Sequence, residues 1–270
     1  MRVGMIMPRT ADDGSAMRTE TLAEGARRIE ACGYDGVWAF DALNRGFTLP
    51  DPLIAVAVAA TATRSVEVGT CVLQLGLRNP VETAHRVITT HLVCGDRFTL
   101  GVGAGSTRSD FEAFGTPYEE RFARFEHSLT TLRELCAGRA IGPVDLTPWE
   151  PTLGGPPLLI GAWGNGRWID RAATEFEGWI GSAVRGGRLA EGAARYKDAG
   201  GRRAMATNIT VDLTGPDVPL AGGEPFSLVC SPNQVRERLA WLSDVGFDDV
   251  VLRTAEHTED NLSAIRELVP

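Results

Sequence analysis

Lysine is nearly missing from this 270-residue chain: Lys197 is the single example, and it lies inside a helical pattern. A P-loop lysine after a glycine-rich turn and a Schiff-base lysine on a barrel strand both lack a candidate, which removes kinases, P-loop ATPases and class I aldolases. Metal-ligand patterns are missing too. The five cysteines (Cys32, Cys71, Cys94, Cys136 and Cys230) are odd in number and scattered without C-x-x-C spacing, and His85, His91, His127 and His257 form no H-E-x-x-H pattern. No metal site is expected, and the thiols read as reduced, in a cytoplasmic protein. No apolar run approaches the roughly 20 residues needed to span a bilayer, the alanine-rich segment from Leu53 to Ala62 being too short. The opening MRVGMIMP carries one positive charge and stops at Pro8, so it reads as a first strand rather than a signal peptide. A net charge of -8 argues against nucleic acid or an anionic membrane as partner, so any anionic ligand must be held by a local cluster of arginines and amides.

What is present is an uninterrupted alternation of apolar runs and helical patterns. The strand candidates are Val3 to Met7, Gly36 to Phe40, Val66 to Leu73, Phe98 to Val102, Pro157 to Ile160, Gly178 to Ser182, Met205 to Leu213 and Asp249 to Leu252. That order implies parallel strands joined by right-handed crossovers, and an eight-stranded α/β barrel of about 250 residues would use the whole chain, 1–270, as one domain. The helix starts carry their own signals. Asn79, Pro80 and Glu82 fit N-cap, first helical position and reciprocal capping residue, and Ser231, Pro232 and Gln234 repeat the arrangement. Asp51 and Pro52 open an extra helix, Gly246 offers a left-handed stop, and Phe122, Phe125, Leu129 and Leu132 form a stripe read as core packing. The Gly- and Pro-rich loop from Thr214 to Pro225 fits either a flap near the barrel mouth or an inert connection.

A parallel barrel gathers functional residues at the C-terminal ends of its strands. The stretch RFTLGVGAGSTRSDFEAFG, Arg97 to Gly115, runs a strand into alternating glycines and a hydroxyl pair. Gly103 and Gly105 would let the backbone approach a flat ligand, and Ser106, Thr107 and the amides after them would hold an anion near a helix start. The same stretch also fits a tight turn with no ligand. A Rossmann fingerprint fails, because G-x-G-x-x-G from Gly101 would need glycine where Ser106 stands. The second anion candidate is GAWGNGR: Gly161, Ala162, Trp163, Gly164 and Asn165 expose successive amides before a helix, and Arg167 adds a fixed charge.

Together these motifs resemble the bacterial-luciferase-like flavin oxidoreductases. Similar to that family are GYDGVWAFD from Gly33, DPL from Asp51, VEVGTCVLQLGLRNPVETA from Val66, the GVG strand followed by Asp110-Phe111-Glu112-Ala113-Phe114-Gly115, PPLLIGAWG from Pro156, the strand start at Glu177, and SPNQVRERLAWLSDVGFDDVVL from Ser231. The resemblance implies a (β/α)8 TIM barrel, forming a homodimer, that binds FMN or the deazaflavin coenzyme F-420 across its mouth. It places a non-prolyl cis peptide within Thr70 to Leu73 and makes Thr70, Cys71 and Val72 cofactor neighbours. It also implies an oxidoreductase acting on a small organic substrate, by oxygen insertion with FMN or by hydride transfer with the deazaflavin. One position departs from the pattern: many members carry Asp-His after the second strand, and this chain has Asp41-Ala42. Asp41 or Asn44 would then serve as proton donor or polariser, with His257 approaching from the eighth strand. Asp41 also fits a buried turn cap, and a catalytically quiet flavin-binding or small-molecule-binding barrel remains an alternative.

Overall fold

The computed structural model describes residues 1–11, 16–162, 166–220 and 224–269. Eight parallel strands close a ring in the order β1 (Arg2–Ile6), β2 (Gly36–Ala39), β3 (Glu67–Gln74), β4 (Phe98–Gly103), β5 (Leu158–Gly161), β6 (Gly178–Ser182), β7 (Ala204–Asp212) and β9 (Asp249–Arg253), the last pairing back onto β1. Every expected strand is present within two residues at either end. A ninth, the two-residue β8 (Leu228–Val229), escapes a pattern search because of its length; it extends the end of β7 outside the ring. Helices α1 (Thr21–Ala31), α2 (Pro52–Ala62), α3 (Pro80–Cys94), α4 (Arg108–Ala113), α5 (Arg121–Cys136), α6 (Gly166–Glu175), α7 (Leu189–Asp198), α8 (Pro232–Asp244) and α9 (Glu259–Arg266) follow the strands.

The ring strands are buried on both faces, which is why they read as continuous apolar runs rather than alternating ones. Their outward side chains and the helices form the large core, while Ile6, Trp38, Cys71, Leu159, Ile180, Met205 and Val251 plug the barrel interior. Trp38 dominates that plug: a Cβ placed on Gly4, Gly36 or Gly69 would lie 2.4, 2.6 or 2.5 Å from its indole.

Helix starts follow the sequence signals in part. Asp51 accepts from the amides of Leu53 and Ile54, Asn79 from those of Val81 and Glu82, and Ser231 from that of Gln234. The reciprocal half of each expected capping box is replaced by an ion pair or side-chain bond one turn on. Glu82 faces Arg86 at 3.6 Å, and Gln234 Oε1 accepts from Arg238 at 2.6 Å, because an arginine four residues along offers a charged donor. Phe122 also departs from expectation. It is 42% exposed beneath the Arg121 guanidinium, while Phe125, Leu129 and Leu132 are buried. In the long loop after β7, Asp217 accepts from the Ser231 amide and hydroxyl and the Val218 carbonyl accepts from Arg238, so this part is fastened to α8; residues 221–223 lie outside the described ones.

At the N-terminal end of the barrel, Glu67 receives Arg2 and both terminal nitrogens of Arg203, and Arg203 also binds Asp249. Thr99 donates to Glu67 as well. Burial alone would raise the Glu67 carboxyl, but the Arg203 guanidinium beside it outweighs that and holds it below its ordinary value.

Candidate functional site

The C-terminal mouth is shaped first by β3. Its register against β4 shifts between Thr70 and Leu73, where the Cys71–Val72 peptide is cis, within the expected interval. Of the three neighbours assigned here, two turn away from the mouth. The Thr70 hydroxyl donates to the Gly101 carbonyl at 2.7 Å, and the Cys71 sulfur accepts from Thr207 at 3.4 Å inside the plug. Burial pushes the Cys71 thiol up to about 12, so it stays protonated and is no nucleophile. Val72 is the residue presented. Its methyls fill the space a Cβ would take on Gly103 (2.8 Å) and Gly161 (2.9 Å), so those glycines at the ends of β4 and β5 accommodate Val72. Val72 and Phe40 cap the plug as half-buried apolar residues. Through Ile6 and Phe40 this shelf adjoins a cavity of about 300 Å³ at the ends of β1, β2, β7 and β9, lined also by Met7, Ala39, Leu49, Thr210 and His257.

A polar knot holds the loops on the opposite side. Asp41 is buried, with Arg78 forked onto its two oxygens at 2.5 and 3.0 Å and the Gln74 amide donating at 3.0 Å. Burial alone would lower the Arg78 guanidinium, but the Asp41 carboxylate outweighs that and keeps it charged. The Gln74 side chain donates to the Asp41 carbonyl and to Asp110, and Arg45 forks onto Asp110 at 2.9 and 2.7 Å. Five side chains thus lock the loops after β2, β3 and β4 to one another. Asp41 is a structural anchor in this arrangement rather than a simple turn cap. Asn44, at φ 51°, is exposed and donates to the Ser109 carbonyl at 3.2 Å, and neither Asp41 nor Asn44 lines the cavity. Gly105 belongs to the same knot. Its φ is +83°, and a Cβ there would meet Gln74 Oε1 at 2.6 Å and Phe111 at 2.9 Å, so packing as well as any ligand requires glycine.

The two anion candidates fare differently. Ser106 is exposed with its carbonyl accepting from Tyr118, and Thr107 occupies the N-cap of α4 without a side-chain cap bond. Of the other loop, Gly161 ends β5 and Ala162 is buried, its carbonyl accepting from Trp179 Nε1 at 2.6 Å; Trp163, Gly164 and Asn165 lie outside the described residues. Arg167 stands in the first turn of α6 and donates to Glu126 at 3.1 Å, in an exposed pair that Arg171 shares at 2.9 Å. His257 is buried, and its Nε2 bonds the Ile6 carbonyl at 2.9 Å, tying the loop after β9 to β1.

Sequence reasoning missed Gln74, Arg78, Arg45 and Asp110 as a unit, and also Arg9 at the cavity. A glutamine closing an apolar strand and an aspartate in the first turn after a glycine-rich loop are the available signals, but their pairing across three loops is tertiary.

With this geometry in place, the comparisons with known proteins are specific. The model of the luciferase-like monooxygenase family matches residues 1–214, and the chain belongs to that family. It is 34% identical over 116 residues to 4-hydroxyprotoasukamycin monooxygenase of Streptomyces nodosus subsp. asukaensis, covering 43% of this chain and 31% of that protein. It is likewise 34% identical over 122 residues to the F420-dependent glucose-6-phosphate dehydrogenase of Amycolatopsis mediterranei, covering 42% and 37%. The matches thus span about a third of each relative's length. The oxygenating constituent of 3,6-diketocamphane monooxygenase from Pseudomonas putida, solved with FMN, superposes with a TM-score of 0.74 at 16% identity over 99% of this chain and 95% of that one, which shows the shared fold.

Proposed function

We propose that this chain is a flavin- or deazaflavin-dependent oxidoreductase that transforms a small organic substrate at the barrel mouth. The observation that carries the reading is the Val72 and Phe40 shelf beside a cavity of about 300 Å³, an apolar platform of the kind that receives a planar ring. The family membership, an F420-dependent relative and an FMN-bound structural neighbour support either FMN or coenzyme F-420 as the group held there.

In this reading Val72 and Phe40 support one face of the ring, and Gly103 lets Val72 sit low enough to leave room above it. The phosphate would be held at the start of α6, beside Arg167, or else by Ser106 and Thr107 at the start of α4, the rival site. Arg167 can be released toward it at little cost, because Glu126 keeps Arg171 as partner and exposed pairs contribute about 0 to 1 kcal/mol. When bound, the cofactor supplies the redox step; the protein orients it and excludes water. Asp41 and Asn44 act by fixing the loops that frame the substrate, through Arg78, Gln74 and Ser109.

The reading treats residues 1–270 as one barrel unit, cytoplasmic and homodimeric. Five free cysteines support the first of those two, and the exposed Ile54, Leu92 and Val93 on α2 and α3 support the second. No helix among the described residues is long and apolar enough to cross a membrane. Titration with FMN and with coenzyme F-420, followed by absorbance and fluorescence quenching, tests the proposal. Saturable binding of one of them at one per chain is expected, and no saturable response to either would overturn it. A binding barrel without catalysis is the second reading, favoured by the lining itself: His257 is its one acid-base side chain among the described residues, and its Nε2 is engaged by Ile6.

A further inference from the structure

The cavity beside the shelf is apolar on its floor and cationic on one wall. Ile6, Met7, Ala39, Phe40 and Leu49 form the apolar part, while Arg9 follows β1 and Arg253 ends β9. Among the described residues no carboxylate lines this cavity, and neither guanidinium makes an ion pair. Across the mouth, by contrast, Arg45 and Arg78 are each forked onto an aspartate. Arg253 is nevertheless held in place: β7 and β9 set Thr210 and Arg253 as register partners, and Arg253 Nε donates to the Thr210 hydroxyl at 2.9 Å, which fixes the plane of the fork. Arg9 lies over the Phe47 ring at 5.5 Å. Both arginines reach solvent at the rim of the cavity, and the two cations feel each other there: partial desolvation first and then Arg9 lower the Arg253 guanidinium below its ordinary value. Two like charges brought to one cavity, with no carboxylate lining it among the described residues, form the electrostatic pattern of an anion-binding wall.

We propose that this wall is a subsite for the carboxylate of an organic-acid substrate, whose apolar body occupies the cavity and whose charged end is taken by Arg253 and Arg9. A carboxylate fits better than a phosphate dianion. The neighbouring helix α9 begins with Glu259 and Asp260, so its N-terminus opposes a concentrated negative charge rather than welcoming it, whereas the planar fork of Arg253 matches two carboxylate oxygens. The word substrate rests on the oxidoreductase reading; the anion subsite rests on the arginines alone.

The test is calorimetric binding to the full chain, with and without FMN, of three acids (butyrate, hexanoate and phenylacetate), each against its uncharged amide, and of inorganic phosphate. At least one acid is expected to bind ten- to a hundredfold more tightly than its amide at low salt, as one or two charge-assisted bonds imply. Arg253→Gln should erase that preference, Arg253→Lys should keep part of it, and Arg9→Gln should reduce it less, with unchanged circular dichroism throughout. Equal binding of every acid and amide, or a preference that survives Arg253→Gln, overturns the proposal. So does displacement of the acid by inorganic phosphate at lower concentration, or an Arg253→Gln variant that weakens FMN but not riboflavin, which would assign the arginines to the cofactor. Acid preference in a chain that binds neither FMN nor coenzyme F-420 would retain the subsite and remove the redox reading.

Discussion

The two ends of this barrel treat charge in opposite ways. At the N-terminal end, Glu67, Asp249, Arg2, Arg203 and Thr99 satisfy one another in a closed network. At the C-terminal end, only half of the rim is neutralised: Asp41 and Asp110 answer Arg78 and Arg45, while Arg9 and Arg253 across the mouth face a cavity without a carboxylate among the described residues. A closed network serves stability, because removing one partner leaves a buried charge uncompensated. An open cationic wall at the solvent-exposed rim gives little to stability, and the anion subsite proposed above is a use for it.

The largest effect that would sharpen this contrast is at the closed end. Glu67→Gln should cost about 3 kcal/mol in urea unfolding, since Asp249 still pairs with Arg203, and should leave cofactor binding unchanged. Because the Glu67 carboxyl is held below its ordinary 4.5 in the fold, its contribution is present above that value and is lost as pH falls through the lower folded value. The variant should accordingly lose less stability than the parent on acidification below pH 4.5. An equal acid limb in both would show that another carboxylate governs it.

An intermediate effect belongs to the knot at the neutralised half of the rim. Gly105→Val forces a branched side chain to φ +83° against Gln74 and Phe111, and should lower stability by about 2 kcal/mol together with cofactor affinity. From sequence alone the same change would block a ligand while sparing the fold. Loss of binding at an unchanged unfolding midpoint would restore that simpler view and blur the division between structural and functional halves. The smallest effect is expected at Arg167. Its alanine variant should shift stability by less than about 1 kcal/mol, yet weaken FMN about tenfold without altering riboflavin. Equal losses for both rings would remove Arg167 from the phosphate.

Much of this architecture is legible in the sequence, and the reason is local. Strands buried on both faces must be apolar along their length, and Asp51, Asn79 and Ser231 cap helices through bonds to residues two or three positions on. The bulge of β3 was placed through family likeness, not through any local rule. What stayed hidden depends on contacts between distant segments. The pairing of Asp41 with Arg78, 37 residues along the chain, is not legible in the sequence, nor is that of Asp110 with Arg45 and Gln74, which reach it from two other loops. Arg253 directly follows an apolar run, but its kinship with Arg9 appears only when β9 closes onto β1.

Trp38 has a bearing on how such a barrel can change over evolutionary time. Its indole occupies the notches left by Gly4, Gly36 and Gly69, which come from three different strands. Enlarging any one of those glycines collides with the ring, Gly69 with the Thr99 carbonyl as well, and shrinking the ring empties three notches at once, so the effects of substitution at Gly4, Gly36 and Trp38 are conditional on one another. Drift in the interior is thereby confined to concerted, multi-site exchanges, while the loops at the mouth remain free to diversify one substitution at a time.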